Sequence, residues 1–132
     1  MIGVILVGNA KLPKELLDVA IHVVGPQENV EVVCIDPDDD VDEKHAELAK
    51  KIEKVKTPKG VILITDMFGG TPSNLAISFM KHGEVEVLAG VNVPMLIKLL
   101  RMRAGLPMKD ALQEAIRAGI KYVNLASELL RK

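Results

Sequence analysis

One segment of the chain combines residue types that could bind an anion, and it follows a short run of apolar residues. Gly69 and Gly70 are adjacent, so the backbone there can adopt positive φ and approach a ligand closely. Thr71, followed by a proline, predicts the start of a helix with Thr71 as the N-cap, and free N–H groups at such a start attract anions. Asp66 stands where the apolar run ends, in position to hold a partner side chain. The alternative is that the glycines only form a tight turn, which Asp66 caps.

The other residues that could do chemistry lack the spacing that chemistry requires. The acidic segment 36–43 does not match a calcium-binding loop, and we interpret it as a solvated charge cluster that complements a helix dipole. His22, His45 and His82 have neither metal-ligand nor triad spacing and are expected to be structural or exposed. Cys34 lies in an apolar run and is expected to be a buried, inert thiol. We therefore predict no metal site and no cofactor. The glycine patterns typical of nucleotide-binding loops are also absent from the sequence.

The elements that must position the anion-binding segment follow an alternating pattern. Short apolar runs predict strands, and amphipathic stretches between them predict helices. The predicted strands are Ile2–Val7, Val30–Ile35, Val61–Thr65 and Val85–Ala89. This alternation predicts a single α/β domain over residues 1–132, a doubly wound parallel sheet of about four strands with helices on both faces. The segment Ile120–Leu130 is ambiguous, with an extra C-terminal strand or a final helical turn both compatible with it.

Composition restricts the classes of partner. The chain carries 17 basic and 18 acidic residues, a net charge of −1, so it has no global basic field for nucleic acid. Three aromatic residues (Phe68, Phe79 and Tyr122) offer little surface for stacking bases. No apolar run approaches the length needed to cross a bilayer, and a basic leader is absent from the N-terminus. We expect a cytoplasmic protein that inserts into no membrane.

Four segments together resemble the IIA component of the mannose-family sugar phosphotransferase system (PTS). The most specific is the Asp-x-x-Gly-Gly-Ser/Thr-Pro-x-Asn pattern at Asp66–Asn74. The others are Ile2–Val7, Val24–Val30 and Gly90–Leu96, in the same order and over essentially the full length. The resemblance implies a doubly wound fold and a homodimer, sometimes with a C-terminal strand exchanged between subunits.

The resemblance also implies a reaction and its partners. In this family, a histidine in the loop after the first strand takes a phosphoryl group from the phosphocarrier HPr and passes it to the IIB component. Asp66 matches the family's aspartate that orients the histidine, and Thr71 matches the hydroxyl residue beside the phosphate, in the loop with Gly69 and Gly70. An imidazole held in one tautomer by a carboxylate is a good nucleophile towards phosphorus.

The loop after the first strand departs from the family pattern. Family members usually read Ser/Thr-His-Gly there, whereas this chain reads Gly8-Asn9-Ala10. The position of the histidine falls on Asn9, or on Ala10 if the loop is shifted by one residue. An amide nitrogen is a poor nucleophile because its lone pair is delocalised, so direct phosphotransfer is in question.

Three interpretations follow from this departure. The chain is a naturally divergent IIA protein that acts by binding or regulation, an altered form of an active protein, or a binding module for an anion or small ligand. Met67 and Phe68 are expected to be exposed on the site loop, where apolar side chains suit docking of a partner protein. The alternative is that both side chains pack inward and brace the loop.

Overall fold

A computed structural model describes residues 1–131 of the chain. In chain order, its elements are β1 (Gly3–Asn9), α1 (Leu12–Val24), β2 (Val30–Ile35), α2 (Val41–Val55), β3 (Val61–Thr65), α3 (Thr71–Ser78), β4 (Val85–Ala89), α4 (Val93–Met102), α5 (Met108–Lys121) and α6 (Ala126–Leu130). Strands rich in β-branched residues alternate with helices, as the sequence pattern predicts. No helix within residues 1–131 is long and apolar enough to cross a membrane.

The strands form one parallel sheet in the order β2-β1-β3-β4. The chain moves from β1 to β2 on one side and then returns to place β3 on the other side of β1. The strand order therefore reverses between β1 and β3, which is where open α/β sheets form their binding crevices. The predicted doubly wound fold is confirmed.

Two apolar layers cover the two faces of the sheet. On one face, α1, α4 and α5 pack against β1 and β3 through residues such as Ala20, Leu96 and Ala111, all with no exposed surface. On the other face, α2 and α3 pack through Leu48 and Ala76, which are also fully buried. Burial on both faces explains why the central strands β1 and β3 are nearly continuous apolar runs, whereas the edge strands β2 and β4 each carry one glutamate. Cys34 is only half-buried, which corrects the expectation of a buried thiol, because it lies on edge strand β2.

A buried arginine fastens the amino-terminal edge of the sheet. The guanidinium of Arg103, just after α4, donates to the carbonyls of Ile2 at 3.1 Å and Asn29 at 3.0 Å, to the side chain of Gln27 at 3.0 Å and to the carbonyl of Glu28. Burial lowers the pKa of Arg103, while the charge of Glu28 acts in the opposite direction. These bonds hold the loop between α1 and β2 against the end of α4, and this loop is one of the segments that carry the family resemblance.

The C-terminal segment differs from one of the two expectations. Residues Tyr122–Leu125 are not part of any strand in the described chain, and a short helix follows at Ala126–Leu130. The extra strand is therefore wrong for this structure. Apolar alternation alone predicted it, but a strand forms only beside a partner strand, and this segment is exposed along its whole length.

Candidate functional site

Asn9 and Asp66 meet at the carboxyl edge of the sheet. Asn9 ends β1 and Asp66 directly follows β3, and the two strands are neighbours with Val7 in register with Thr65. The side-chain amide of Asn9 donates to Asp66 Oδ2 at 2.9 Å, and the backbone N–H of Asn9 reaches the same oxygen at 3.4 Å. A carboxylate accepts hydrogen bonds but does not donate them, so the amide nitrogen of Asn9 must face Asp66. The carbonyl oxygen of Asn9 is then presented away from the carboxylate.

Asp66 is held in its ionised form by four donors. Its other oxygen, Oδ1, accepts from the backbone N–H of Met67 at 2.9 Å and from the hydroxyl of Thr65 at 3.2 Å. Partial burial acts to raise the pKa of Asp66, but the hydrogen bonds from Asn9, Met67 and Thr65 outweigh it and lower that pKa below its usual value. The carboxylate is therefore a fixed acceptor that orients the side chain at position 9.

The residues on either side of Asn9 shape the turn into α1. A Cβ on Gly8 would lie 3.1 Å from Pro13 Cγ, which is tighter than an ordinary contact, so glycine lets the start of α1 approach the strand end. Ala10 adopts a left-handed conformation with φ of 53°, and its N–H donates to the carbonyl of Ile35 at 2.9 Å. This conformation is unfavourable for a residue with a Cβ, so Ala10 is a strained position directly beside Asn9.

Gly69 and Gly70 form the turn that leads into α3, and the start of this helix is open in the sense that no side chain caps it. Gly69 and Gly70 have φ of 94° and 91°, and a Cβ on either would meet no neighbouring atom within 4 Å. Gly70 is the N-cap and Thr71 the first residue of the helix, so the expected N-cap role of Thr71 is wrong by one position. No side chain caps this start, and its first turn contains no acidic residue. The dipole of α3 therefore ends in N–H groups that its own side chains leave available for an anion.

Met67 and Phe68 project from the same loop into solvent. Their exposed fractions are 64% and 60%, so the expectation of exposure is confirmed and the alternative of inward packing is wrong. Whether they bind a partner stays a prediction.

The remaining candidates from the sequence lie apart from this pair. Asp40 caps α2, and the acidic segment around it forms no cluster of metal-ligating side chains within the described residues. His45 stacks on Phe79 with ring centroids 4.4 Å apart, and His82 lies 3.3 Å from Glu86. In residues 1–131, no histidine hydrogen-bonds to Asn9 or Asp66.

Sequence reasoning missed a groove between α4 and α5. Its volume is about 980 Å³, and its walls include the apolar side chains of Val23, Ile97 and Ile120. The C-terminal tail, defined here as Tyr122–Arg131, begins at one end of the groove and is exposed throughout. The tail carries large apolar side chains with exposed fractions of 60% to 76%, namely Tyr122, Val123, Leu125, Leu129 and Leu130. The apolar residues of Ile120–Leu130 were the available signal in the sequence, but they predicted a strand or a helical turn rather than an exposed apolar surface.

Comparisons with known proteins agree with this fold. A fructose-specific PTS EIIA component of Bacillus subtilis (strain 168) is 28% identical over 133 residues, covering 100% of this chain and 91% of the relative. A mannose-specific PTS EIIAB component of Escherichia coli (strain K12) is 34% identical over 113 residues, or 82% of this chain, and the match spans only 35% of that relative. The solved structure of a PTS component EIIA from Streptococcus agalactiae superposes with a TM-score of 0.86 at 22% identity, covering 97% of this chain and 99% of that one.

The fold, a parallel sheet whose strand order reverses between β1 and β3, is that of solved PTS IIA structures. The model of the family described as PTS system fructose IIA component matches residues 3–116. The chain belongs to this family, which is the mannose family of PTS IIA components.

Proposed function

We propose that this chain is a cytoplasmic IIA-type protein that docks with HPr and with a IIB component but does not itself carry the phosphoryl group. One observation carries the proposal: the amide of Asn9 donates to Asp66 Oδ2 at 2.9 Å. An imidazole in the same place would donate one N–H to that carboxylate and offer its second nitrogen to phosphorus. Asn9 can make the first contact, but it has no second nitrogen to offer.

The surroundings of Asn9 are compatible with a docking site that has lost its nucleophile. Asp66 keeps its four hydrogen bonds, and the open start of α3 keeps its free N–H groups. Met67 and Phe68 offer exposed apolar surface beside them. A module that only binds a free anion would not need this apolar surface, so binding of a partner protein is the favoured function.

Phosphoryl labelling tests the missing nucleophile. We expect no acid-labile label on the natural chain after incubation with labelled phosphoenolpyruvate, enzyme I and HPr, and label on the Asn9→His variant. Asp36→His is the matched control, because Asp36 directly follows β2 as Asn9 ends β1, but strand β1 lies between β2 and the β3 end that carries Asp66. Label on the natural chain would contradict the proposal and would identify a histidine acting elsewhere in the molecule.

Calorimetric titration with HPr and with a IIB protein tests the docking surface. We expect Met67→Glu to weaken binding by about tenfold, since one buried charge opposes an apolar contact. Met80→Glu is the control, because Met80 is exposed to a similar extent, 55% against 64%, but follows α3 at its opposite end. If neither protein binds the natural chain while inorganic phosphate does, the anion-binding alternative replaces this proposal.

We further propose that the chain forms a homodimer through the C-terminal tail and the groove between α4 and α5. An exposed apolar tail beside an open apolar groove supports this, because each surface can cover the other in a second copy. Sedimentation velocity should show a dimer for the natural chain and a monomer for Leu125→Asp. Val41→Asp, at an exposed valine on the opposite face of the sheet, should stay dimeric. A monomeric natural chain would overturn the homodimer.

A further inference from the structure

The loop after β4 is hydrogen-bonded to the backbone of Thr65 and Asp66 at the site. The N–H of Gly90 donates to the carbonyls of Thr65 and Asp66, both at 3.1 Å, and the N–H of Val91 donates to Thr65 at 3.2 Å. Gly90 has φ of 87°, a conformation that glycine adopts without strain. The chain that leaves β4 therefore bonds directly to the residue whose carboxylate holds Asn9.

The other end of this loop is fastened to α5 by one side chain. Asn92 Oδ1 accepts from the N–H of Met95 at 3.0 Å and so caps α4. Its Nδ2 donates to the carbonyl of Gly119 at 2.8 Å, in the last turn of α5. That carbonyl has no partner within its own helix, because the helix ends two residues later.

The contact between Asn92 and Gly119 depends on the absence of a side chain at position 119. A Cβ there would lie 3.0 Å from Met95 Cε and 3.3 Å from Met95 Cβ, which is tighter than an ordinary contact. Gly119 is buried, so α5 approaches the start of α4 closely enough for one amide to bridge the two helices. The next residues along the chain, Ile120 to Tyr122, line the groove and lead into the C-terminal tail.

We infer that Asn92 is a positioning residue that couples the groove to the site, so that a second copy seated in the groove changes the order of the Asn9–Asp66 pair. The path consists of the hydrogen bond from the Gly90 N–H to the Asp66 backbone carbonyl and the bond from the Asn92 amide to the Gly119 carbonyl, joined by the loop after β4. This inference rests on the proposed function, in which a second copy occupies the groove and a partner protein binds at the site. Coupling of this kind is reciprocal, so a change at the Asn9–Asp66 pair must also change the amide exchange rates at the end of α5.

Asn92→Asp separates the bridging role from the capping role. A carboxylate is as good an N-cap as an amide, so α4 keeps its cap, but the donor to Gly119 is replaced by an acceptor. Asn124→Asp is the matched control, because the amide of Asn124 also bonds a carbonyl at the end of α5, that of Lys121 at 3.3 Å, and the added charge is the same. Asn92→Ser, which retains a capping oxygen but no long donor, provides a second variant if the aspartate is poorly tolerated.

Amide hydrogen exchange by NMR is the measurement. In Asn92→Asp we expect the N–H groups of Asn9 and Met67, which bond to Asp66, to exchange about fivefold faster, with a change below about twofold in Asn124→Asp. In the reverse direction, Asn9→Ala should accelerate exchange at Tyr122 and Val123. Faster exchange confined to Met95 and Gly119 would mean a purely structural contact and would overturn the inference, as would equal effects of the two aspartate variants. The rates need no HPr or IIB, so their outcome is independent of whether partner docking fails. When the natural chain sediments as a dimer, equal exchange at Asn9 and Met67 in the natural chain and in the monomeric Leu125→Asp variant would overturn the effect of the second copy.

Discussion

The starts of α2 and α3 both face the carboxyl edge of the sheet, but they are built in opposite ways. At α2, the Asp40 side chain accepts from the N–H groups of Asp42 at 2.8 Å and Glu43 at 3.2 Å, and two acidic residues fill the first turn. At α3, Gly70 supplies no side chain and the first turn carries no acid. The start of α2 therefore satisfies its own N–H groups, whereas the start of α3 leaves them for another molecule.

This difference shows which loop is committed to the fold and which is available for binding. A capped, acidic helix start repels anions and stabilises the helix, so the carboxylates of the α2 loop need no ligand to explain them. An uncapped start forgoes that stabilisation, and it lies next to the Asn9–Asp66 pair. Converting one helix start into the other, or removing the feature that distinguishes them, should therefore affect phosphoryl binding at α3 and stability alone at α2.

The largest expected effect comes from giving α3 the acidic start of α2. In the Asn9→His background, Thr71→Asp should reduce phosphoryl labelling by about tenfold, since a carboxylate would occupy the free N–H groups and repel the incoming phosphate. Quantitative autoradiography at early times measures this rate. Asn74→Asp, an equal charge on the exposed side of the same helix, should change labelling by less than about twofold. Equal losses in both variants would mean that the helix start has no special role.

The second-largest expected effect is on the free energy of unfolding, through the positive φ of Gly70 at the start of α3. Gly70→Ala should lower the free energy of unfolding by about 2 kcal/mol, because Gly70 has φ of 91° and an L side chain is strained there. Chemical denaturation with urea measures the change. Gly105→Ala is the control, since an added Cβ there also meets no atom within 4 Å and Gly105 has no positive φ. A loss as large at Gly105 as at Gly70 would refute strain as the cause.

Removing the cap of α2 should have a smaller effect. Asp40→Ala should destabilise the chain by about 1 kcal/mol, since two N–H groups lose their acceptor, and Asp40→Asn should restore most of that loss. Thermal unfolding of both variants measures the difference. Labelling of the Asn9→His background should stay unchanged in either variant, because the α2 start takes no part in binding. A labelling defect in Asp40→Ala would remove the distinction between the two helix starts.

Sequence patterns predicted the elements well where a single local signal decides them. The predicted bounds of β2, β3 and β4 agree with the observed ones, since a polar residue or a glycine flanks each of these runs. The predicted β1, Ile2–Val7, instead continues through Gly8 and Asn9, because these residues pair with Cys34 and Ile35 of β2. The N-cap of α3 was misplaced by one residue, since its position depends on the φ of Gly70 rather than on residue type. The bonds of Arg103 to Gln27 and of Asn92 to Gly119 had no local signal, because they join residues 76 and 27 positions apart.

The Asn9–Asp66 pair was only half predictable for the same reason. Asp66 at the end of an apolar run indicated a residue that holds a partner side chain, but only the family resemblance paired it with the position of Asn9. In the structure the two meet because β1 and β3 are neighbouring parallel strands, so their carboxyl ends lie side by side.

The smallest expected effect is on the pKa of Asp66. Burial acts to raise this pKa and the hydrogen bonds from Asn9, Met67 and Thr65 lower it, with a net decrease. Asn9→Ala removes the side-chain donor at 2.9 Å, so the pKa of Asp66 should rise towards its usual value, as followed by the carboxyl ¹³C shift during an acid titration. A carboxyl whose pKa is lowered by folding stabilises the fold above its unfolded pKa, and that stabilisation is lost as the pH falls through the lowered value. The natural chain should therefore keep the contribution of Asp66 to lower pH than Asn9→Ala does. An unchanged or lower pKa in Asn9→Ala would show that the backbone and hydroxyl donors alone hold the carboxylate of Asp66 in place.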